Sequence, residues 1–371
     1  MEEKQNILVL IDSNAIIHRA YHALPKNMKT SKGELTNVVY GYTTTLIKVL
    51  EDLHPTHIAA SFDISKATFR LAEYKEYKAH RVAADQELYD QIPRVRNLLQ
   101  VLNIPVYEME GFEADDCIGT MVELCSTSKK SIKSIKSDEV DEIFDVEDNP
   151  TEQSLNNLTI YIVTGDKDAF QLIDGNVFVY NLKHGLMSAQ IVDRDVIGKE
   201  WNLQPEDFID LKALAGDPSD NIPGAPGIGP KTATELLIKF DTIVNLYEKI
   251  ASLFNCSTTD LALNQTNDEI LKQFSHQLEI KPRTLKILVE FKDQVFLSQR
   301  LATIRRDVPL DFNIKDCEWG DYDKEKVKEF FNEMQFNSLL RRFGGATGEN
   351  PAKTKSENPK QNSKDEQLQL L

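Results

Sequence analysis

ILVLID (residues 7–12) is an apolar run that ends on a carboxylate, and the same figure returns in IAASFD (58–63) and in TIYIVT (159–164), which runs into GDKD (165–168). Runs this short, apolar or β-branched, predict strands. Each is followed by longer segments with helical periodicity, such as Val38 to Leu50 and Asp85 to Leu102. Strand and helix alternating in this way predict an α/β fold with a central, mostly parallel sheet flanked by helices. From Asp207 onward the pattern turns almost wholly helical, ending with Lys324 to Phe343.

In an open parallel sheet, ligands bind in the crevice beyond the carboxyl ends of the strands. Asp12, Asp63, Asp166 and Asp168 are therefore expected to face one pocket. GFEADD (111–116) opens a helix and adds Glu113, Asp115 and Asp116; AGDPSDN (215–221) adds Asp217 and Asp220. Any one of these acids alone reads as a helix cap. Together they crowd two or three carboxylates into single turns, which like-charge repulsion opposes unless cations neutralise them. An all-oxygen set without Cys or His suits Mg²⁺ or Mn²⁺, and two such ions about 4 Å apart would hold a phosphodiester and activate water.

The chain has 371 residues, 41% apolar and 27% charged, enough for a large core in one domain or two. No apolar run approaches the roughly 20 residues of a membrane span, and the acidic start, with Glu2 and Glu3, is unlike a signal peptide, so a cytoplasmic protein without a membrane partner is expected. Cys117, Cys125, Cys256 and Cys317 form no C-x-x-C pair, which argues against a zinc site or disulfide framework and for buried packing. A net charge of −16 disfavours nucleic acid as a partner. Part of that excess lies in residues 138–152, however, and part in the carboxylate set, so basic patches elsewhere would bind nucleic acid in a salt-sensitive way.

Two such patches are present. PGAPGIGPKTATELLIKF (223–240) places Gly224, Gly227 and Gly229 in a tight hairpin before Pro230 and an amphipathic helix. Backbone amides at that helix start, with Lys231 beside them, make a phosphate site, and the segment about 211–240 reads as a helix-hairpin-helix. FRLAEYKEYKAHR (69–81) places Arg70, Tyr74, Tyr77, Lys78 and Arg81 at helical spacing, one basic and aromatic stripe suited to a single strand.

Residues 126–157 begin Ser/Lys-rich and become acidic, reading as a flexible insertion that acts as a spacer or a gate, and 345–371 read as a disordered tail. This gives a catalytic region 1–205, an arch about 64–105 within it, and a helical region 206–344.

The motifs LIDSNAIIHRAYHALP, YKEYKAHR, GFEADD, TGDKDAFQL, LAGDPSDNIPGAPGIGPKTA and LSQRLATIRRDVPL closely resemble the 5′-nuclease domain of bacterial DNA polymerase I and its 5′-3′ exonuclease relatives, within the flap endonuclease family. The resemblance covers about residues 5–344. It implies a PIN-like 5′-nuclease fold and a metal-dependent hydrolase that removes 5′ flaps and primer RNA and acts on nicked or branched duplex in replication and repair. By position, Asp12, Asp63, Glu113 and Asp115 would hold a first Mg²⁺ or Mn²⁺, with Asp116 as a close outer partner. Asp166, Asp168 and Asp220 would serve a second, supported by Asp217. Lys78 would approach the scissile phosphate, while Arg81, Tyr77, Arg70 and Arg19 would steer the 5′ strand through a helical arch. The hairpin would bind downstream duplex, with K⁺ on its carbonyls. No polymerase region follows in the sequence, so a monomeric free-standing nuclease or a fragment of a longer chain is expected.

QLQLL (367–371) resembles peptides that dock into the bacterial sliding clamp, through Gln367, Leu368, Leu370 and Leu371; the alternative is an uninformative Leu/Gln end. Rival functions are a DNA-binding structural factor with a dead site, a PIN-type ribonuclease or toxin lacking the hairpin, and a degenerate relative lacking second-metal acids. The complete carboxylate set and residues 223–240 speak against all three.

Overall fold

The structure is a computed structural model and describes residues 5–64, 67–135, 157–183, 188–254 and 268–348. The acidic part of the insertion and residues 349–371, with the clamp-type end Gln367, Leu368, Leu370 and Leu371, lie outside the described residues.

In chain order, β1 (Asn6–Asp12) leads into α1 (Ser13–Ala23) and α2 (Asn37–Leu53), then β2 (His57–Ser61). Short helices α3 (Phe69–Glu73) and α4 (Gln86–Tyr89) precede α5 (Ile92–Val101), β3 (Val106–Tyr107) and α6 (Ala114–Ile135). After β4 (Leu158–Thr164) come a 3₁₀ turn (Lys167–Leu172), β5 (Val177–Leu182), β6 (Ala189–Val192) and α7 (Arg194–Trp201). The helical part comprises α8 (Asp207–Ala215), α9 (Pro230–Phe240), α10 (Ile243–Leu253), α11 (Asp268–Leu278), α12 (Pro282–Glu290) and α13 (Lys292–Ala302). It is followed by α14 (Lys324–Glu333) and α15 (Asn337–Ala346).

The six strands form one sheet in the order β3-β2-β1-β4-β5-β6, parallel throughout except for β6. Leu8, Val9, Leu10 and Ile11 are at most 1% exposed because β1 sits at the centre with both faces covered. Val9 and Ile11 pack with α1, α2 and α5, whereas Leu8 and Leu10 pack with Ile118, Met121 and Phe170 on the other face. β1 extends toward β2 on one side and toward β4 on the other, so the chain reverses direction across the sheet between β1 and β4. That switch point is where a parallel sheet leaves a crevice at its carboxyl edge.

A third core, built from Leu214, Ala233, Leu237, Leu246, Tyr247 and Leu288, holds α8 to α13 together. The hairpin between α8 and α9 depends on two glycines with positive φ, Gly216 at +72° and Gly224 at +58°. A Cβ on Gly224 would stand 2.2 Å from the Gly216 nitrogen, and Gly224 N–H donates to Ser298 Oγ at 3.0 Å. Gly224→Ala is therefore expected to cost more than about 2 kcal/mol, read as a lowered urea midpoint. An unchanged midpoint would show that the two backbones can separate freely.

Three expectations are corrected. The stripe over 69–81 is not one helix: α3 ends at Glu73, Tyr74 is extended, and Lys78 adopts φ +54°. The segment turns because Tyr77 and Lys78 are drawn toward acids far away in sequence. The range expected to form an arch holds only the short α3 and α4 before Ile92, and from Ile92 onward it is core, with Val95, Leu98 and Leu99 fully buried. The single helix expected over 85–102 is two, and Lys324 to Phe343 is also two, parted where Gln335 takes φ +61°.

The last two helices do not stay with α8 to α13. Phe330, Phe331 and Phe343 bury themselves beside Val38, Tyr42 and Leu46 of α2. Arg342 Nε donates to Glu51 Oε1 at 2.8 Å, and Arg94 bridges Glu34 and Glu333. Cys117, Cys125 and Cys317 are buried; Cys256 lies outside the described residues. Among the described residues no helix is long and apolar enough to cross a membrane.

Candidate active site

A cavity of about 230 Å³ opens at the carboxyl edge of β1 and β4, lined by Asp12, Asp63, Glu113, Asp115, Asp166 and Asp168, with Lys78 and Arg81 at its side. Strand ends and helix starts bring these acids together. Asp12 closes β1 and caps α1: its Oδ1 accepts from Ala15 N–H at 3.0 Å, and its Oδ2 from Thr164 Oγ1 at 2.7 Å. Asp63, just past β2, accepts from Ala114 N–H at the start of α6 at 2.6 Å and from Asn14 Nδ2 at 2.7 Å. Asp166 caps the 3₁₀ turn by accepting from Asp168 N–H at 2.9 Å. Capping and clustering are thus both true of these aspartates, because a strand end that aims a carboxylate into the crevice also stands at the next helix start.

The electrostatics show the strain of gathering them. Burial raises Asp12 to a pKa of about 6, against the lowering pull of its Ala15 and Thr164 hydrogen bonds. Burial, with Asp116 and Glu113 nearby, holds Asp115 well above the usual carboxylate range despite Arg70. Burial also raises Asp166, against Lys212, and Asp220 adds to the effect. Asp115 Oδ1 is buried and has no hydrogen-bond partner. A buried, unsatisfied carboxylate oxygen among hard oxygen donors fits a divalent cation.

The chain's own cations occupy much of the remaining space. Lys78 Nζ donates to Glu113 Oε2 at 2.6 Å and lies 3.5 Å from Asp220 Oδ2. Burial opposes the Lys78 charge, but Glu113 and Asp220 outweigh it and raise its pKa. Arg81 pairs with Asp220 and donates to the Ser219 carbonyl at 3.2 Å. Lys212 pairs with Asp168 and, at 2.5 Å, with Asp217. Burial pushes Asp217 up, yet Lys212 and Ser219 prevail and hold it below its ordinary value. With these pairs in place, no three His, Cys, Asp or Glu side chains among the described residues are arranged to hold a metal ion.

Several expected roles change accordingly. Asp116 is fully buried, and both its oxygens are taken by Arg70 Nη1 and Nη2 at 2.7 and 2.8 Å and by the amides of Glu113 and Arg305. It braces the site and does not face the cavity. Arg70 is 1% exposed, so its guanidinium serves this brace and cannot lie along a strand. Tyr77 is 5% exposed, and its hydroxyl donates toward Glu113 and Asp220 at 3.2 and 3.0 Å, so its ring is no open stacking platform. Tyr74 bonds to Glu76 at 3.2 Å. Asp217 and Asp220 stand behind Lys212, Lys78 and Arg81 and do not line the cavity. Arg19 lines the adjoining depression, and Gly227, Gly229 and Lys231 are exposed at the hairpin. Lys212 and Asn14 escaped the sequence reading. The only trace of Lys212 is its place one turn before GDPSD, in a helix otherwise explained by the hairpin.

Asp12 carries a pH signature. Its folded pKa, about 6, lies above the ordinary 3.8, so its contribution to stability is fully present below about 3.8 and is lost as pH rises through 6. In metal-free buffer, Asp12→Asn is expected to melt above the parent at pH 7 and to lose that advantage by about pH 4. A melting difference that stays flat across this range would refute the burial of its charge.

Residues 7–202 match the N-terminal resolvase-like domain of 5′-3′ exonuclease. The chain belongs to the 5′-3′ exonuclease family. The match continues over residues 203–325 with the C-terminal SAM fold of the same exonuclease family. Among curated relatives, DNA polymerase I of Bacillus subtilis is 36% identical over 343 residues, which is 92% of this chain and 33% of that protein. DNA polymerase I of Caldicellulosiruptor bescii is 32% identical over 339 residues, 91% of this chain and 33% of that protein. The chain thus spans about a third of the length of these relatives. The exonuclease fold is shared with T5 5′-exonuclease bound to zinc (TM-score 0.55, 16% identity, 89% of this chain and 99% of that one). It is shared too with the catalytic core of Rad2 in complex with DNA substrate (TM-score 0.50, 16% identity, 91% of this chain and 93% of that one).

Proposed function

We propose that this member of the 5′-3′ exonuclease family hydrolyses phosphodiester bonds at 5′ ends and 5′ flap junctions of DNA, and of primer RNA paired to DNA, using Mg²⁺ or Mn²⁺. The observation that carries the reading is the cavity at the β1/β4 switch point. There Asp12, Asp63, Glu113, Asp115, Asp166 and Asp168 line one cavity, and Asp115 Oδ1 is buried with no hydrogen bond and only Arg70 Nη1 at 4.0 Å. Bound at these oxygens, two divalent ions would supply an activated water and balance the charge of the reacting phosphate. Asp115, whose Oδ1 lacks a hydrogen bond, is the residue we would assign to both ions. Asn14 and Ala114 N–H hold Asp63 in place, and the Arg70–Asp116 pair fixes the start of α6 that presents Glu113 and Asp115.

Lys78 and Arg81 bring positive charge to the side of the cavity, where a phosphate would meet it. The exposed Gly227, Gly229 and Lys231 offer amides and an ammonium group to the duplex backbone. A 5′-labelled flap duplex incubated with the chain in Mg²⁺ and in EDTA tests the reading. Products near the junction that vanish with EDTA and return with Mg²⁺ support it. Tight binding without cleavage in either Mg²⁺ or Mn²⁺ would overturn it in favour of a structural DNA-binding role.

A further inference from the structure

Beside the carboxylate cavity lies a wider, open depression of about 600 Å³ that shares Ala15, His18, Arg81 and Asp166 with it. Its chemistry is the reverse of its neighbour's. His18, Arg19 and His22 project from α1 at positions i, i+1 and i+4, and Arg81 and Ser219 face them from the other side. Arg19 is held in position: its Nη1 donates to the Lys183 carbonyl at 3.0 Å, and its guanidinium lies so close over Gly165 that a Cβ there would stand 2.6 Å from Nη2. Arg81 is anchored by Asp220 and the Ser219 carbonyl. The His22 ring stands edge-on to Tyr21 with centroids 5.4 Å apart. Chiefly partial burial of its ring, then His22 and Arg81, hold the His18 imidazole below its ordinary pKa against the opposing pull of Asp63.

We propose that this depression is a receptor for the terminal 5′-monophosphate of a nucleic-acid strand, so that the chain distinguishes phosphorylated from hydroxyl 5′ ends. The inference rests on the nuclease reading and adds a specificity to it. A terminal monoester carries about −1.5 to −2 charge at neutral pH, against −1 for each internal diester, and offers three acceptor oxygens. Donors gathered around one space suit that compact dianion; a track for internal diesters would spread its cations along a strand. The arginine fork matches phosphate geometry, and each imidazole can donate a further hydrogen bond. Asp166 and Asp63 stand on the cavity side, so a phosphate seated among His18, Arg19, His22 and Arg81 would place the following backbone over the acids.

The test is binding of the full chain, in EDTA, to two nicked duplexes identical except for a 5′-phosphate or a 5′-hydroxyl at the nick, followed by fluorescence anisotropy. The phosphorylated end should bind about tenfold more tightly. His18→Gln combined with His22→Gln should bring that ratio close to one while changing affinity for the hydroxyl end by less than about twofold. Both histidines are exposed, so folding is not at stake. Arg19→Lys, which keeps the charge but loses the fork, is a second variant expected to lower the ratio. Equal affinity of the parent for both ends, or variants that weaken both ends by the same factor, overturns the inference. Flap cleavage in Mg²⁺ by the same preparation shows whether the nuclease reading survives; absence of both DNA binding and cleavage overturns the two together.

Discussion

Asp115→Asn is expected to slow single-turnover cleavage of a 5′-flap duplex by at least about a hundredfold while leaving the melting temperature unchanged or raised. Its Oδ1 is buried without a hydrogen-bond partner, in a field that already disfavours its charge. Asparagine keeps the shape and deletes a charge that burial disfavours, so the fold gives up no hydrogen bond of Oδ1 and only the 4.0 Å ion pair with Arg70. Function loses the oxygen that the chain itself leaves unsatisfied. Retention of cleavage within about twofold of the parent, under saturating protein, would remove Asp115 from the centre of the site. Loss of rate accompanied by a large drop in melting temperature would instead assign it to the scaffold.

Arg70→Ala is expected to be the most destabilising single change at the site, by about 3–5 kcal/mol in urea unfolding followed by circular dichroism. The guanidinium makes two hydrogen bonds to the fully buried Asp116, and Nε and Nη2 donate to the carbonyls of Leu301 and Thr303 at 2.9 and 3.0 Å. Truncation leaves a buried carboxylate without its counter-charge and two carbonyls without donors. Replacing the pair together, Arg70→Met with Asp116→Leu, should cost less than the sum of the single changes, because no charge is then stranded. A loss below about 1 kcal/mol for Arg70→Ala would show that water or another cation takes its place.

The contrast between these two residues explains how far the sequence could be read. The strand over Ile7 to Ile11 is plain in composition alone, and the aspartates at strand ends follow from the geometry of parallel sheets. The hairpin is equally plain, since glycines at Gly224 and Gly227 announce positive φ locally. What stays hidden is which acids are already taken. Asp116 and Asp115 are neighbours of identical type, and only the folded chain brings Arg70 and the Arg305 amide into hydrogen bonds with one and leaves Oδ1 of the other with no hydrogen bond, Arg70 standing 4.0 Å away. The helical spacing of Arg70, Tyr74, Tyr77, Lys78 and Arg81 misleads for the same reason. Tyr77 meets Asp220, which is 143 residues away, and a periodicity within thirteen residues carries no information about such a partner. Strands β3 and β6 are only two and four residues long, so neighbouring strands supply the order that their own sequence lacks, whereas β5, VFVYNL, carries a strand signal in its β-branched and aromatic residues.

The return of α14 and α15 to α2 bears on how this protein can be divided. Phe330, Phe331 and Phe343 complete a core whose other walls come from Val9, Val38 and Leu98, so the first and the last described segments close one apolar interior. A piece cut at the meeting point of the two family matches, residues 7–202, would expose that interior as a broad oily face. Such a piece would be sticky and poorly soluble even with every carboxylate of the cavity in place. The first family match is thus a chapter that cannot be bound separately: its last page, Phe330 to Phe343, is written far past residue 202.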